Sequence, residues 1–363
     1  MKKYITQDTL KKNNTADILT FILERGGATR REIEWETGFS WGTVSSNAAL
    51  LIERGYLIEE KSESTGSAGR STCRLVPNGE GVVSIGLDIN RTGLVAQIVG
   101  LDLSVKESIS EPFCAKTQKE LITQAEELCA RAIDMCEGKY RVFSIGIALQ
   151  GAVDGKVGFS LRFPGICDWT PYNIKERFES RFFLPVYLGH DPKCMLIAEQ
   201  CKKKYSDAVL VRIDEGIGMA VSQDGRILDD TERLELGHTV AVRGGELCSC
   251  GKRGCLEAYS SVNGICRRAD IASERLLDEP KNYLDLISEA AEHLGLALYN
   301  ICVLFRPQKL VLTGRGLEID EYVSGIIERF SFEGVELEID RDISAAFGAA
   351  AESMRSAIRS LNM

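Results

Sequence analysis

The sequence predicts a winged helix-turn-helix domain at the front of the chain, followed by a larger α/β body made of two similar units. Two observations lead to this fold class. In the first 75 residues, two helical patterns, a glycine turn and a third helical pattern precede two β-rich runs. From Val82 onward, strands alternate with helices, and a β-hairpin pattern occurs near 85–103 and again near 208–228. Such alternation is typical of α/β proteins, and the repeated hairpin indicates duplication.

The composition limits the class of protein. A chain of 363 residues is long enough for two or three domains, and 44% hydrophobic with 27% charged residues is ordinary for a globular protein. Because no run of about 18 apolar residues occurs, the sequence predicts no membrane span. The N-terminal residues lack an apolar signal core, so we expect a cytoplasmic protein. In that compartment the twelve cysteines are expected to be reduced thiols and not a disulfide framework.

The first two helices are predicted from local patterns. Apolar residues at helical spacing in "NTADILTFILERGG" predict a helix that ends at the glycines. Thr29 and Glu32 form a capping-box pattern, which predicts the start of a second, short helix. Gly38 suits the tight turn after it, and Ser40 is a suitable N-cap for a third helix over 41–54.

The third helix is expected to have two different faces. Apolar residues at i, i+4 and i+7 would face the core, namely Val44, Ala48 and Leu51. A second face has short polar side chains that can hydrogen-bond with bases or phosphates, namely Thr43, Ser46 and Asn47. The run "YLIEEKSESTGSAGRSTCRLV" then predicts two strands around a wing loop. Arg70 lies at the tip of that loop, where it could enter a DNA minor groove.

Helix, turn, helix and wing in this order predict contact with double-stranded DNA. The charge distribution places such contact at the front of the chain. Residues 1–75 include 11 Lys+Arg and 10 Asp+Glu, whereas the whole chain has a net charge of −9, so the acidic excess lies in the remainder. The alternative is a small helical domain that contacts other proteins.

The alternation of strands and helices also sets the expected domain limits. Residues 1–80 would form the winged domain and 81–200 the first α/β lobe. Residues 201–363 would form the second lobe, with a metal-binding loop and the C-terminal helix. Two such lobes would leave a cleft between them.

One histidine and three cysteines in the second lobe have the spacing of a metal site. They follow the pattern His238-x9-Cys248-x-Cys250-x4-Cys255, with glycines that let the backbone fold back between them. One nitrogen and three sulfur ligands fit tetrahedral Zn²⁺, and four protein ligands make a closed, structural site. We therefore expect one structural zinc ion per chain. The alternative is four reduced side chains on a turn without a metal.

Segments along nearly the whole chain resemble the ROK family (repressors, open reading frames and sugar kinases), in its repressor branch. They occur in the order of that family: the winged domain, "GLDINRT", "PGICDW", "LPVYLGHDPKCMLIAE", "DEGIGMAV", "ELGH", "CSCGKRGCLEAY", "LALYNICVLFRPQKLVLTG" and "FGAAAES". The resemblance implies a two-lobed actin-like or hexokinase-like (ribonuclease H-like) ATPase-type fold, a sugar site in the cleft and a homo-oligomer.

The resemblance also implies which residues contact the sugar. Glu235, His238 and Glu257 match family positions that contact sugar hydroxyls, and carboxylates suit this role because each accepts several hydrogen bonds. Asp191 matches the base that takes the proton from the phosphorylated hydroxyl in the kinases. His190 stands where the family usually has Asn, so it is expected to line the same site and to change its sugar preference.

The nucleotide motifs of the family kinases are altered at three places. Asp88–Gly93 reads "DINRTG", without the two glycines and the lysine of the kinase pattern. The second hairpin opens with Asp214 and Glu215, which would stand near a triphosphate. The adenosine-side glycines are interrupted by Arg315. The sugar motifs thus persist while the ATP motifs do not.

The sequence therefore predicts a sugar-responsive DNA-binding transcriptional regulator that acts as a repressor and has no enzymatic activity. It would bind operator DNA as a homodimer or a dimer of dimers and respond to a sugar or sugar derivative. Two alternatives remain. One is a sugar kinase that has a DNA-binding domain, and the other is a regulator controlled by a partner protein.

Overall fold

The computed structural model describes residues 7–61, 73–203, 205–228 and 234–361, with side chains from residue 14 onward. The chain divides into two compact units, Met1–Gly189 with Ala346–Met363, and His190–Ala345. Among the described residues, no helix combines the length and apolar character that crossing a bilayer requires. The twelve cysteines are all free, so the expectation of unpaired thiols is confirmed.

The N-terminal part of the first unit has the winged helix-turn-helix arrangement. Its elements are α1 (Gln7–Arg25), β1 (Ala28–Thr29), α2 (Arg30–Thr37), α3 (Trp41–Glu53), β2 (Leu57–Lys61) and β3 (Cys73–Pro77). The strands form an antiparallel sheet in the order β1-β3-β2. The loop between β2 and β3, with Arg70, lies outside the described residues.

The local signals in this domain act as the sequence predicts. Thr29 and Glu32 form the complete capping box, and Gly38 ends α2 in the left-handed conformation. The side chain of Ser40 accepts a hydrogen bond at the N-terminus of α3. The predicted core face of α3 is fully buried, namely Val44, Ala48 and Leu51. Propensity, capping and burial therefore agree over this domain.

The rest of the first unit contains a five-stranded sheet in the order β11-β7-β4-β5-β6. Its elements are β4 (Val82–Asn90), β5 (Gly93–Gly100), β6 (Val105–Glu111), α4 (Gln118–Asp134), β7 (Arg141–Leu149), α5 (Ile174–Phe182) and β11 (Val186–His190). Strands β8 (Ala152–Asp154), β9 (Phe159–Arg162) and β10 (Tyr172–Asn173) form a small separate sheet. Strand β4 pairs antiparallel with β5 and parallel with β7, and its nine residues are all buried.

The second unit repeats the arrangement, with strands in the order β14-β13-β12-β15-β16. Its elements are α6 (Asp191–Lys202), β12 (Ala208–Ile213), β13 (Ile217–Gln223), β14 (Arg226–Ile227), α7 (Glu257–Ser260), α8 (Val262–Ala269), α9 (Ser273–Asp278), α10 (Leu284–Phe305), β15 (Lys309–Thr313), α11 (Asp320–Arg329) and β16 (Glu336–Ile339). Strand β12 occupies the place of β4, with an antiparallel neighbour on one side and a parallel one on the other. The predicted duplication is confirmed.

The C-terminal helix α12 (Ala345–Arg359) packs within the first unit. A Cβ on Gly86 would lie 1.9 Å from the carbonyl oxygen of Ala346, so the helix backbone lies directly on β4. At its other end, Met354 and Ile358 are buried in the core of the winged domain. From the sequence we expected this helix in the second α/β lobe, residues 201–363. The three predicted domain limits stay a prediction.

Candidate functional site

Four side chains with metal-binding atoms meet in the loop between β14 and α7. The Sγ atom of Cys248 lies 3.7 Å from Nδ1 of His238, and the Sγ atoms of Cys250 and Cys255 lie 3.7 Å apart. All four ligand atoms lie within 4.8 Å of one another. A tetrahedral ion with metal–sulfur bonds of about 2.3 Å separates its ligand atoms by about 3.8 Å. The predicted cluster could therefore hold one tetrahedral metal ion.

The backbone of this loop folds back at positions where only glycine fits. Gly254 has a φ of +81°, and a Cβ there would lie 1.7 Å from the carbonyl oxygen of Val242. A Cβ on Gly245 would lie 1.9 Å from the hydroxyl oxygen of Tyr259. That oxygen accepts a 2.7 Å hydrogen bond from the backbone N–H of Glu246. The glycines thus allow the close approach that brings the ligands together.

The three thiols differ in acidity without a metal. Burial raises the pKa of the Cys255 thiol to about 12 and also raises the pKa of Cys248. Burial would raise the pKa of Cys250 too, but hydrogen bonds from the backbone of Lys252 and from the neighbouring thiols lower it overall. A metal ion binds thiolates, so it must displace protons from the two buried thiols. Metal binding is therefore expected to weaken as the pH falls.

The other ring nitrogen of His238 points toward a carboxylate. Nε2 lies 4.0 Å from Oε2 of Glu235, whose side chain is 54% exposed. When Nδ1 binds a metal, Nε2 has the proton and can only donate. The loop therefore presents a donor beside an exposed acceptor, which is a suitable pair for a ligand with several hydroxyl groups.

Glu257, at the start of α7, is held from two sides. Its Oε2 accepts a 3.3 Å hydrogen bond from the N–H of Ile217, and its Oε1 accepts a 3.1 Å hydrogen bond from the hydroxyl of Ser249. The loop that contains the possible metal site and the β12–β13 turn therefore position the same carboxylate. Because the residue is only partly buried and a carboxylate has about four acceptor sites, it can still accept hydrogen bonds from a ligand.

Asp191 is buried in an ion cluster that the sequence did not indicate. Its Oδ2 pairs with Nη1 of Arg212, and Arg212 also binds Oδ2 of Asp214 at 2.7 Å through Nη2. The exposed fractions of Asp191, Arg212 and Asp214 are 3%, 7% and 5%. The Oδ1 of Asp191 lies 3.1 Å from Nε2 of His190. The predicted base thus has an internal cation on one oxygen and the predicted ligand residue His190 on the other.

The β12–β13 turn joins these two groups of residues. Arg212, at its first end, pairs with Asp191 and with Asp214, while the N–H of Ile217, at its second end, binds Glu257. A Cβ on Gly218 would lie 2.8 Å from Pro192 of α6, so this helix approaches β13 closely. The turn therefore places Asp191 and Glu257 at one end of the second unit's sheet.

In the first altered nucleotide motif, side chains of the protein already accept hydrogen bonds from the backbone N–H groups. The Oδ1 atom of Asn90 accepts hydrogen bonds of 2.8 Å and 3.2 Å from the N–H groups of Thr92 and Gly93. The N–H of Arg91 donates a 2.9 Å hydrogen bond to Oε1 of Gln150. Phosphate binding at such turns depends on free backbone N–H groups, and these three already have acceptors.

The second and third altered motifs pair with each other. Nη1 of Arg315 lies 3.6 Å from Oε1 of Glu215, so the residue that interrupts the adenosine-side glycines is an ion partner of the second turn. In the same turn, the N–H of Ile217 donates to Glu257. These turn residues therefore have partners inside the protein, which disfavours a triphosphate in the same place.

The polar face of α3 is only partly available for DNA contact. Ser46 is exposed, whereas Thr43 and Asn47 are half-buried. The Oδ1 atom of Asn47 accepts a hydrogen bond from the hydroxyl of Thr15, and its Nδ2 donates to the carbonyl of Thr43 at 2.8 Å. Asn47 thus links α3 to α1, and a base contact would have to compete with these bonds. Trp41, 50% exposed at the start of α3, was not among the predicted contacts.

The fold and sequence match known proteins over most of the chain. The chain is 29% identical to the N-acetylglucosamine repressor of Escherichia coli O6:H1, over 88% of this chain and 85% of that protein. A ROK family transcriptional regulator, a homologue of the E. coli Mlc protein, superposes with a TM-score of 0.80 at 21% identity, over 96% and 97% of the two chains.

A ROK family glucokinase from Streptomyces griseus, solved with glucose and AMPPNP, matches 75% of this chain and 99% of its own length. The TM-score is 0.63 at 22% identity, so the α/β body has the fold of a sugar kinase. Residues 84–343 match the ROK family itself. Because that match spans more than two thirds of the sequence, the chain belongs to the ROK family.

Proposed function

We propose that the protein is a sugar-responsive, DNA-binding transcriptional regulator that represses its target genes. One observation supports this most directly. A winged helix-turn-helix domain is joined to a sugar kinase fold in which the predicted sugar residues come together, while the nucleotide turns are bonded to the protein's own side chains. The similarity to a repressor named for N-acetylglucosamine supports the same function.

The metal of the His238 cluster is zinc in this proposal, one ion per chain. One nitrogen and three sulfur ligands are the donor set that zinc favours, and a site with four protein ligands has no open position for a reacting water. The zinc would have a structural role, and it would hold Glu257 through the loop that ends at Cys255. It would also set the proton of His238 on Nε2.

The proposed sugar contacts are Glu235, His238, Glu257, Asp191 and His190. Glu235 and Glu257 would accept hydrogen bonds from sugar hydroxyls, and Nε2 of His238 would donate one. Asp191 would act as a fixed acceptor, since Arg212 already holds one of its oxygens. The half-buried His190 stands where the kinases usually have the amide side chain of Asn, and this difference would change which sugar fits.

The proposed DNA contacts are on α3 and in the wing. Ser46 is the exposed member of the predicted set, and Thr43, Asn47 and Arg70 remain proposals for further base or phosphate contacts. A homodimer would present two winged domains to the two halves of a palindromic operator. Sugar binding would favour a conformation with lower operator affinity, because a ligand shifts the equilibrium toward the state that binds it better.

The sugar site can be tested by thermal stabilisation with a panel of simple sugars and sugar derivatives. A ligand at a hundred times its Kd stabilises the folded state by about 2.7 kcal/mol. We expect the Glu257→Gln variant to fold normally but to lose this stabilisation, because one acceptor oxygen becomes a donor. Glu246→Gln, an exposed position in the same loop, is the matched control. Equal stabilisation of the wild type and Glu257→Gln by the same sugar would place the site elsewhere.

The proposal also predicts that the protein does not phosphorylate its sugar. At saturating Mg-ATP, ADP release should stay at the level seen without sugar. Asn90→Gly alone should not raise it, because the second and third motifs, which pair with each other, stay blocked. A sugar-dependent turnover near the enzyme median of about 10 per second, lost in Asp191→Asn, would instead identify a kinase with a DNA-binding domain.

A further inference from the structure

We propose that Trp41 selects thymine in the operator through an apolar contact with the C5-methyl group of that base. This inference rests on the proposed DNA-binding function and names one base that the protein recognises. Trp41 is the first residue of α3, and its side chain is 50% exposed. Single apolar residues are common on protein surfaces, so the inference depends on where this indole lies and on what surrounds it.

The position of Trp41 is the part of a helix-turn-helix domain that contacts bases. The N-terminal residues of the second helix of that motif enter the major groove and meet the base edges. Here the first turn of α3 is fixed by Ser40, whose Oγ accepts a 3.2 Å hydrogen bond from the N–H of Thr43. The next residue, Gly42, is exposed, and a Cβ there would lie 3.9 Å from that same Oγ, its nearest contact among the described residues. This end of α3 is therefore accessible to a bound duplex.

The chemistry of the major groove identifies the base. The C5-methyl group of thymine is the apolar group that base pairs present there, whereas the other positions are hydrogen-bond donors and acceptors. An indole ring has one N–H donor and is otherwise apolar, so it matches the methyl group best. Helix α3 also has no Lys or Arg from Trp41 to Glu53. The paired hydrogen bonds by which those residues commonly select guanine are therefore not available from this helix.

The charges around the two exposed tryptophans of this domain distinguish them. No charged residue occurs between Glu36 and Glu53, so the chain segment around Trp41 has no carboxylate to repel the phosphates of DNA. Trp35, on α2, is more exposed, at 87%, but Glu36 follows it directly and Glu32 lies one helical turn before it. These carboxylates disfavour a duplex at Trp35. Trp35 is therefore a matched control for Trp41, because it is an exposed indole in the same domain with acidic neighbours.

Uracil differs from thymine only in lacking the C5-methyl group, so a uracil scan tests the contact. The full chain would select a duplex from a random-sequence library, and each thymine in that duplex would be replaced by uracil, one at a time. We expect at least one replacement to weaken wild-type binding by about fourfold, the effect of one buried methyl group. The same replacement should not affect Trp41→Ala, which has already lost the contact. Trp35→Ala should respond to it as the wild type does.

The outcomes separate this inference from the proposed function. If no uracil replacement weakens wild-type binding, or if every effective one weakens Trp41→Ala equally, Trp41 does not select thymine, although specific DNA binding stands. A wild type that prefers no duplex over any other would contradict the proposed function itself, and this inference with it. Trp41→Gln is the second variant, in case Trp41→Ala does not fold. Glutamine keeps a long side chain without the apolar ring, so this variant should also be insensitive to the uracil replacement.

Discussion

Cys255→Ser is expected to lose the metal ion and to lower the free energy of unfolding by more than about 4 kcal/mol, because loss of a metal belongs to the few single changes with effects of this size. Cys255 is buried and its Sγ faces Cys250, so a serine hydroxyl there cannot supply the missing thiolate. Glu257 follows two residues later, and its position would be lost with the loop.

Elemental analysis and urea unfolding measure the two parts of this prediction. Cys201→Ser is the control, since Cys201 is a half-buried cysteine outside the cluster, and it should keep the metal. The wild type should contain close to one zinc per chain. Stoichiometric zinc in Cys255→Ser, or a folded wild type with less than about half a zinc per chain, would contradict the proposed structural zinc site.

Arg212→Met is expected to destabilise the protein by about 3–5 kcal/mol, because it leaves two carboxylates in the interior without their cation. Arg212 is the shared partner of Asp191 and Asp214, and all three are buried. Methionine keeps most of the apolar length of the side chain, so the loss is mainly one of charge. Double-mutant cycles would measure how much of the lost stability comes from the pairing of Arg212 with each carboxylate.

The decisive comparison is the triple variant Arg212→Met, Asp191→Asn, Asp214→Asn, which removes both uncompensated charges and should recover most of the lost stability. Arg275→Met is the exposed control. Its partner Glu279 lies 3.6 Å away on the surface, and such pairs contribute about 1 kcal/mol at most. If urea unfolding shows Arg212→Met to be as mild as Arg275→Met, the ion cluster does not hold Asp191 in the way described.

Local patterns in the sequence were sufficient to predict much of the fold. The capping box at Thr29 and the buried face of α3 depend on residues within one or two helical turns, and the structure shows both. The repeated hairpin likewise predicted a duplicated α/β unit, and the structure has two five-stranded sheets with corresponding strand orders. The spacing of His238 and the three cysteines was sufficient to predict that these four side chains come together, because the glycines between them constrain the loop.

Contacts between distant segments were not predictable in the same way. Arg212 is 21 residues from Asp191 and lies in an apolar run, "AVLVRI", that indicates only a buried strand. Asn47 reads as an exposed polar residue on α3, but Thr15 of α1 lies against it. In each case the partner is set by tertiary packing. A charged residue within an otherwise apolar strand was the one available sign that a buried ion pair was needed.

The central claim, that a sugar controls DNA binding, is tested most directly by operator affinity with and without the sugar. Duplexes selected from genomic fragments by the full chain would be titrated with the wild type, Glu257→Gln and Ser46→Glu. The account predicts specific binding that the sugar weakens at least about tenfold in the wild type, no sugar effect in Glu257→Gln, and weak binding in Ser46→Glu because of repulsion from phosphates. Unchanged wild-type affinity at a sugar concentration that stabilises the protein would contradict it, as would equal affinity for every duplex.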